Sequence, residues 1–417
     1  MKPLSQSKYG SRIGLVILAF IAFIALGMPD GLLGVGWPSI RAGFSLPLDA
    51  LGMLLITGTT GYLISSFFNG KLIARLGVGG LLAASCALTG LALLGYTLVP
   101  AWWMMVLLGV ATGLGAGGID AGLNTYVAAN FGEGLMQWLH ASYGIGITLG
   151  PVIMTTALAS FSSWRMGYVV VGAAQLVLGT TFLLSLPMWK RGEKPAGAQD
   201  AKKLTDYKTS YLETIRRPAV WVSMAMFFLY TGAEIALGAW AYTLLTESRG
   251  VLPQAAGLVT GSYWAAFTIG RFLAGLYTRR VGVHTLVQAS LLGALLGSAL
   301  LWANAFPALS LIGVALIGFS IAPIFPALVS GTRQRVGSRY AANTIGMQIA
   351  GAGLSGAIIP GLIGALARRT TLEVIPVCLF ALFAAILGLY LLSQRLKAPS
   401  EQVAPAEQAA PEEQRVS

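Results

Sequence analysis

The chain has 417 residues, 56% of them hydrophobic and 10% charged, with a mean hydropathy of +0.74. That balance excludes an ordinary water-soluble globule and a disordered chain. The net charge of +12 would suit a nucleic-acid surface if it were clustered, but the basic residues lie scattered between apolar runs, so no nucleic-acid partner is needed to explain it.

Apolar runs of about 20 residues, long enough to cross a hydrocarbon layer of roughly 30 Å, recur along the whole chain. In the first half they are predicted over 13–37, 50–73, 79–98, 102–126, 137–160 and 165–189. The second half repeats the number, over 219–245, 254–278, 283–303, 306–332, 341–367 and 372–394. Inside lipid every backbone polar group needs an internal partner, and the alternation of a barrel strand is absent, so the runs are predicted to be helices. The fold class is therefore an all-α membrane protein with twelve transmembrane helices. The first run is too long for a signal-peptide core and is expected to stay in the protein. Cys86 and Cys378 fall inside apolar runs and read as small hydrophobes, neither a disulfide nor a metal site.

Charge sets the expected orientation. With the N-terminus inside, 21 of the 27 basic residues face the cytoplasm, among them Lys71, Arg75 and eight between Lys190 and Arg217. Five face outward (Arg41, Arg165, Arg249, Arg368 and Arg369), and Arg271 lies within a helix. Basic residues gather on the cytoplasmic side of membrane proteins, so both termini are expected in the cytoplasm and the protein in the plasma (inner) membrane.

Between the sixth and seventh runs stands KRGEKPAGAQDAKKLTDYKTSYLETIRRP, whose charge, Gly and Pro mark a linker. The expected organisation is an N-terminal six-helix bundle (1–189), a cytoplasmic linker (190–217), a C-terminal six-helix bundle (218–395) and a disordered cytoplasmic tail (396–417). The halves repeat weakly at a shift of 205: Ile64 matches Ile269, Phe67 matches Phe272, Gly70 matches Gly275, Arg75 matches Arg280, Gly77 matches Gly282 and Gly113 matches Gly318. Paired repeats with a site at the bilayer midplane are a recurrent plan of secondary transporters.

The connection after the second helix of each half reads GKLIARLGVGG and GLYTRRVGVH. It resembles the loop signature of the major facilitator superfamily, with Ala74 and Arg279 where the signature has Asp. Six other stretches resemble one branch, the fucose:proton symporter family and related glucose permeases. They are GMPDGLLGVGWP, GLGAGGIDAGLNTYVAANFG, LHASYGIGITLGP, FLYTGAEIALGAW, GRFLAGLYTRR and IGFSIAPIFP. The resemblance runs from the first helix to the eleventh and implies two pseudo-symmetric six-helix bundles that move sugar with a proton by alternating access.

Of fifteen acidic residues, only Asp30, Asp120 and Glu234 lie well inside predicted helices. A charge there costs about 2.5–3.5 kcal/mol on insertion scales, and such residues usually face a cavity; the competing reading is a satisfied hydrogen bond between helices. A carboxyl group in a cavity that alternately dries and wets can load and release a proton, so these three are the expected proton-coupling residues, with sodium as the other ion that carboxylates serve. The resemblance assigns Asp30 and Asp120 to proton coupling and sugar recognition. Asp120 and Asn124, four apart on one helix face, can hold vicinal hydroxyls. Trp37, Tyr143, Trp240, Tyr263 and Trp264 are candidate aromatic sugar contacts, against plain packing. His140 and Arg271 are candidate gate or relay groups. Gly113, Gly117 and Gly118 give the fourth helix a small-residue surface for close approach.

The expected function is secondary active uptake of a monosaccharide, a hexose or deoxyhexose, by a monomer with no bound cofactor. The alternative is a drug or metabolite:proton antiporter, because GITLGP matches the core of an antiporter motif, although Met154 and Thr155 stand where further glycines are expected. An enzyme or sensor is disfavoured, since two His and two Cys offer no metal-ligand spacing and no nucleophile–base pair can be proposed.

Overall fold

The structure, a computed structural model, describes residues 6–130, 133–192 and 209–395. The N-terminal half holds α1 (Gln6–Gly43), α2 (Leu51–Leu98), α3 (Trp102–Asn130), α4 (Glu133–Phe161), α5 (Trp164–Leu184) and α6 (Leu186–Gly192). After the short α7 (Tyr211–Ile215), the C-terminal half holds α8 (Pro218–Thr243), α9 (Pro253–Val281), α10 (Val283–Ala303), α11 (Pro307–Ile321), α12 (Ile324–Ser330), α13 (Thr332–Val336), α14 (Ser338–Arg369) and α15 (Val374–Arg395). A π-helical turn, Leu244–Ser248, prolongs α8.

By length and composition, 10 segments of the described residues can cross a membrane. One of them, Leu48–Leu98, is 51 residues long and contains two crossings, because Gly77 at φ +69° turns the chain between them. Only glycine adopts that left-handed geometry without strain. The 29-residue α9 supplies the remaining crossing; Arg271 and its polar neighbours keep it out of the purely apolar set. The twelve expected spans are therefore present, in two six-helix bundles. Several differ in their ends: α1 runs to Gly43, the sixth span breaks at Ser185 between α5 and α6, and the tenth breaks between α11 and α12, where Pro323 and Pro326 cannot donate backbone hydrogen bonds. The linker from 193 to 208 and the tail from 396 lie outside the described residues.

The repeat reappears in the backbone at the same shift of 205. Gly77 and Gly282 both have positive φ, as do Ser45 and Gly250. Gly113 packs against the backbone of Gly58, and Gly318 packs against the backbone of Tyr263. These pairs match residue for residue, so the halves share a packing arrangement as well as an ancestry of letters.

The halves meet through α4 against α9, α2 against α14 and α1 against α8. At the end opposite the termini they are tied closely: Arg41 pairs with Glu247, Arg368 lies 3.0 Å from Asp49, and a methyl group on Gly52 would sit 3.2 Å from the Gly361 Cα. Toward the termini the same two helices part, for Gly70 of α2 and Gly346 and Gly351 of α14 face open space. Along α2 and α14 the halves are closed at one end and parted at the other, while α4 and α9 still meet toward the termini, with the Trp138 and Phe272 ring centres 5.5 Å apart.

Arg249 knots the connections of the C-terminal half at the closed end. Its guanidinium donates to both Glu373 oxygens (3.0 and 2.6 Å), to Ser310 Oγ at 2.8 Å and to the Leu301 carbonyl at 2.8 Å. These hydrogen bonds hold the Glu373 carboxyl below the ordinary carboxylate range. A depressed acid contributes stability above its ordinary value, roughly pH 4, and loses it as pH falls through the native value. The Glu373 side chain is 39% exposed, so water screens the pair to about 0.5–1 kcal/mol. Glu373→Gln is expected to lower the melting temperature at pH 7, with the gap from the parent starting to close near about pH 4 and vanishing only once the pH has fallen through the depressed native value. A gap that persists unchanged in acid would assign the effect to packing instead.

Candidate functional site

Asp30 sits well inside α1 and is nevertheless exposed, which requires a water-accessible space between the halves. Pro29 precedes it, and a proline leaves the carbonyl four residues back without its helical donor. That carbonyl, Ala25 O, accepts from the fully buried Gln175 side chain at 2.8 Å, so α1 tolerates proline beside its acid. The Tyr143 hydroxyl of α4 donates to Asp30 Oδ2 at 2.7 Å. The two helices come close because Gly27 and Gly31 face α4: a methyl group on Gly31 would lie 2.8 Å from Pro151 Cδ.

The second acid repeats the device. The Tyr62 hydroxyl of α2 donates to Asp120 Oδ2, and Asn124 Nδ2 donates to Asp120 Oδ1 at 2.9 Å and to its carbonyl at 3.0 Å. Here Gly113 and Gly117 bring α3 onto the Gly58–Tyr62 backbone; a methyl group on Gly113 would lie 2.9 Å from Tyr62 N. Gly118 packs on the other side, against Ser85 and Ser65. Asn124 shares the face of Asp120, as its spacing predicts, but its amide is engaged by Asp120 itself.

Glu234 is half-buried on α8, with the Tyr230 and Arg271 side chains beside it. Both neighbours are anchored on the proline break of the tenth span. Tyr230 donates to the Ile321 carbonyl at 3.0 Å, and Arg271 Nε reaches the Ala322 carbonyl at 3.4 Å with its guanidinium 4.4 Å from the Phe267 ring centre. Tyr62 is within electrostatic reach of Asp30 as well as Asp120. Tyr143 is within reach of both Asp30 and Glu234, and the exposed His140 is within reach of Asp120 and Arg271. Asp30, Asp120, Glu234, Tyr143, His140 and Arg271 thus form one constellation drawn from both halves.

Four expected aromatic contacts are not brought to the cavity surface. Trp37 is fully buried, packs 5.7 Å from Trp102 and donates to the Leu48 carbonyl at 3.2 Å; it closes the far end of the N-terminal half. Trp240 is fully buried and donates to the Pro360 carbonyl at 2.9 Å. Tyr263, also buried, donates to the Glu234 carbonyl at 2.8 Å and so props the acid from behind. Trp264 is buried between Gly238, Tyr263 and Phe267. Sequence position puts an aromatic on a helix without fixing which neighbour claims its polar atom. The same ambiguity hid Tyr62, Gln175 and Tyr230. A Tyr or Gln in the middle of an apolar run, next to glycine on one face, is the signal that finds them.

A helical bundle of this kind, with acids gathered between two halves, is the architecture of an integral membrane transporter of small molecules, not of an enzyme. The chain belongs to the Major Facilitator Superfamily, whose model matches residues 15–252 and 222–415. It is similar to the Glucose/mannose transporter GlcP of Bacillus subtilis, 24% identical over 358 residues that cover 84% of this chain and 87% of the relative. It is also 24% identical to the Sodium-dependent glucose transporter 1A of Mus musculus over 390 residues, 83% of this chain and 88% of that one. Among solved structures, an inward-facing, occupied bacterial homologue of the human lysosomal transporter Spinster superposes with a TM-score of 0.74 at 13% identity, covering 93% and 99% of the two chains.

The packing makes a direct demand. In Gly117→Ala the new methyl group collides with the Tyr62 backbone, which overpacking rules value at about 1–3 kcal/mol. Its melting temperature is expected to fall, whereas Gly346→Ala, which meets nothing, leaves it unchanged. Equal behaviour of the two variants would show that the α2–α3 contact is slack.

Proposed function

We propose that the protein takes up a monosaccharide, a hexose or deoxyhexose, together with a proton by alternating access. The observation that carries this reading is Asp30: a carboxylate exposed to the space between the halves, held by the Tyr143 hydroxyl at 2.7 Å. Relatives named for glucose and mannose support the substrate class. A proton arriving on Asp30 removes its need for the Tyr143 donor, and the freed hydroxyl can then turn to a sugar oxygen. Asp120 and Asn124 hold the sugar from the N-terminal half when its hydroxyls replace the hydrogen bonds that Asp120 now takes from Asn124 and Tyr62, while Glu234 and Arg271 answer from the C-terminal half. Binding energy that bridges both halves favours closure around the substrate, and only differential affinity for the two arrangements can shift them.

By the positive-inside rule the end that carries the termini faces the cytoplasm, which supports reading this arrangement as inward-facing, with Arg41–Glu247 and Asp49–Arg368 joining the halves on the outer side. Efflux by an antiporter motif is less well supported. Met154 is fully buried and fills the space against Gly36 and Gly167, and Thr155 packs against Gly257 of α9, where open glycine surfaces would be wanted.

Purified protein in liposomes decides between ions. Glucose or a deoxyhexose is expected to accumulate under an inward proton gradient and to carry protons with it, and Asp30→Asn is expected to abolish accumulation while sparing exchange of internal for external sugar. Accumulation driven by a sodium gradient at equal pH would replace the proton with sodium. Accumulation by Asp30→Asn at the parent level would remove Asp30 from coupling altogether.

A further inference from the structure

Outside the cavity between the halves, the two crossings of α2 and the flank of α3 enclose a groove of about 520 Å³. Its wall includes Phe68, Leu72, Leu81 and Leu88, and two cations, Lys71 and Arg75, stand at one end. Four residues apart, these two share a helix face just before the Gly77 turn. Both are exposed, the Lys71 ammonium lying 5.6 Å from the Phe68 ring centre. Among the described residues neither joins an ion pair, and the residue between them that could have answered Arg75 is Ala74. The surrounding surface is built for lipid: Phe67 is 83% exposed and Ile64 44% exposed.

We propose that this groove binds an anionic phospholipid from the leaflet on the side of the termini. The phosphate sits between Lys71 and Arg75, and an acyl chain lies along Phe68, Leu72, Leu81 and Leu88. Charge complementarity selects the occupant: two cations and, among the described lining residues, no acid call for an anion, while an apolar floor rejects a free phosphate or a sugar. A zwitterionic lipid brings its own cation to a site that already has two. Basic pockets between transmembrane helices recognise acidic head groups for the same reason. The groove shares Ser65, Ser85 and Leu114 with the packing of Gly118 and Gly61, so an occupant braces the α2–α3 contact that presents Tyr62 to Asp120.

The test titrates phosphatidylglycerol, phosphatidylcholine with the same acyl chains, or inorganic phosphate into full-length protein in detergent and follows the melting temperature. Phosphatidylglycerol is expected to raise it by several degrees more than either comparator. In K71A/R75A that excess is expected to fall by at least half, while Arg216→Ala, which removes an exposed cation elsewhere, keeps it. Leu88→Trp, which fills the groove and leaves both charges, is expected to lose it too, so the test does not hang on the stability of the double variant. An undiminished excess in both K71A/R75A and Leu88→Trp, or an equal rise with phosphatidylcholine or inorganic phosphate, overturns the proposal.

Discussion

Backbone-to-backbone contact between helices is the constraint from which the rest of the structure follows. Lipid gives helices no hydrophobic reason to associate, so close packing and interhelical hydrogen bonds must hold them together. At Gly27 and Gly31 on α1, and at Gly113 and Gly117 on α3, the missing side chains let a neighbouring helix come within contact of the main chain. Each approach delivers a tyrosine hydroxyl to a carboxylate: Tyr143 to Asp30 and Tyr62 to Asp120. A larger residue at any of these glycines would push the tyrosine away and leave a charge facing an apolar wall.

The prolines solve a related problem. A proline in a membrane helix frees a carbonyl that water cannot reach, and neighbouring side chains must answer it. Gln175 answers Ala25, which Pro29 frees, and Tyr230 and Arg271 answer Ile321 and Ala322 at the break before α12. The second answer also has a functional side. By spending hydrogen bonds on the broken helix, Tyr230 and Arg271 are fixed beside Glu234, so a backbone defect in the tenth span determines where a cation sits in the cavity.

Much of this was legible in the letters. The apolar runs gave the spans because a helix must match the bilayer in length, and the shift of 205 gave the duplication because glycine and arginine at turns cannot drift freely. Asp30, Asp120 and Glu234 stood out because a charge in lipid is expensive wherever its helix turns. The pairings stayed hidden for a physical reason: Tyr143, expected as a sugar contact, and Tyr62, not singled out, differ from packing aromatics only in where one oxygen points, and that depends on a neighbouring helix 113 or 58 residues away. Trp37 and Trp240 show the reverse, since their indole N–H groups are claimed by the Leu48 and Pro360 carbonyls, which no spacing within one helix reveals.

The arrangement that results is asymmetric along the membrane normal. One end is closed by cross-half ion pairs and by glycine contact between α2 and α14, and toward the other end these two helices part. In the alternating-access cycle proposed above, each acid keeps or surrenders its tyrosine on cue, so the tyrosine–carboxylate pair is the unit to test. A double-mutant cycle with Tyr62→Phe and Asp120→Asn, read by calorimetric binding of glucose, tests it most directly. If the pair acts as one, the double variant binds no worse than the weaker single variant, a coupling of at least about 1 kcal/mol, within the range for residues in contact. Additive losses would contradict the account, because the two side chains would then serve binding independently.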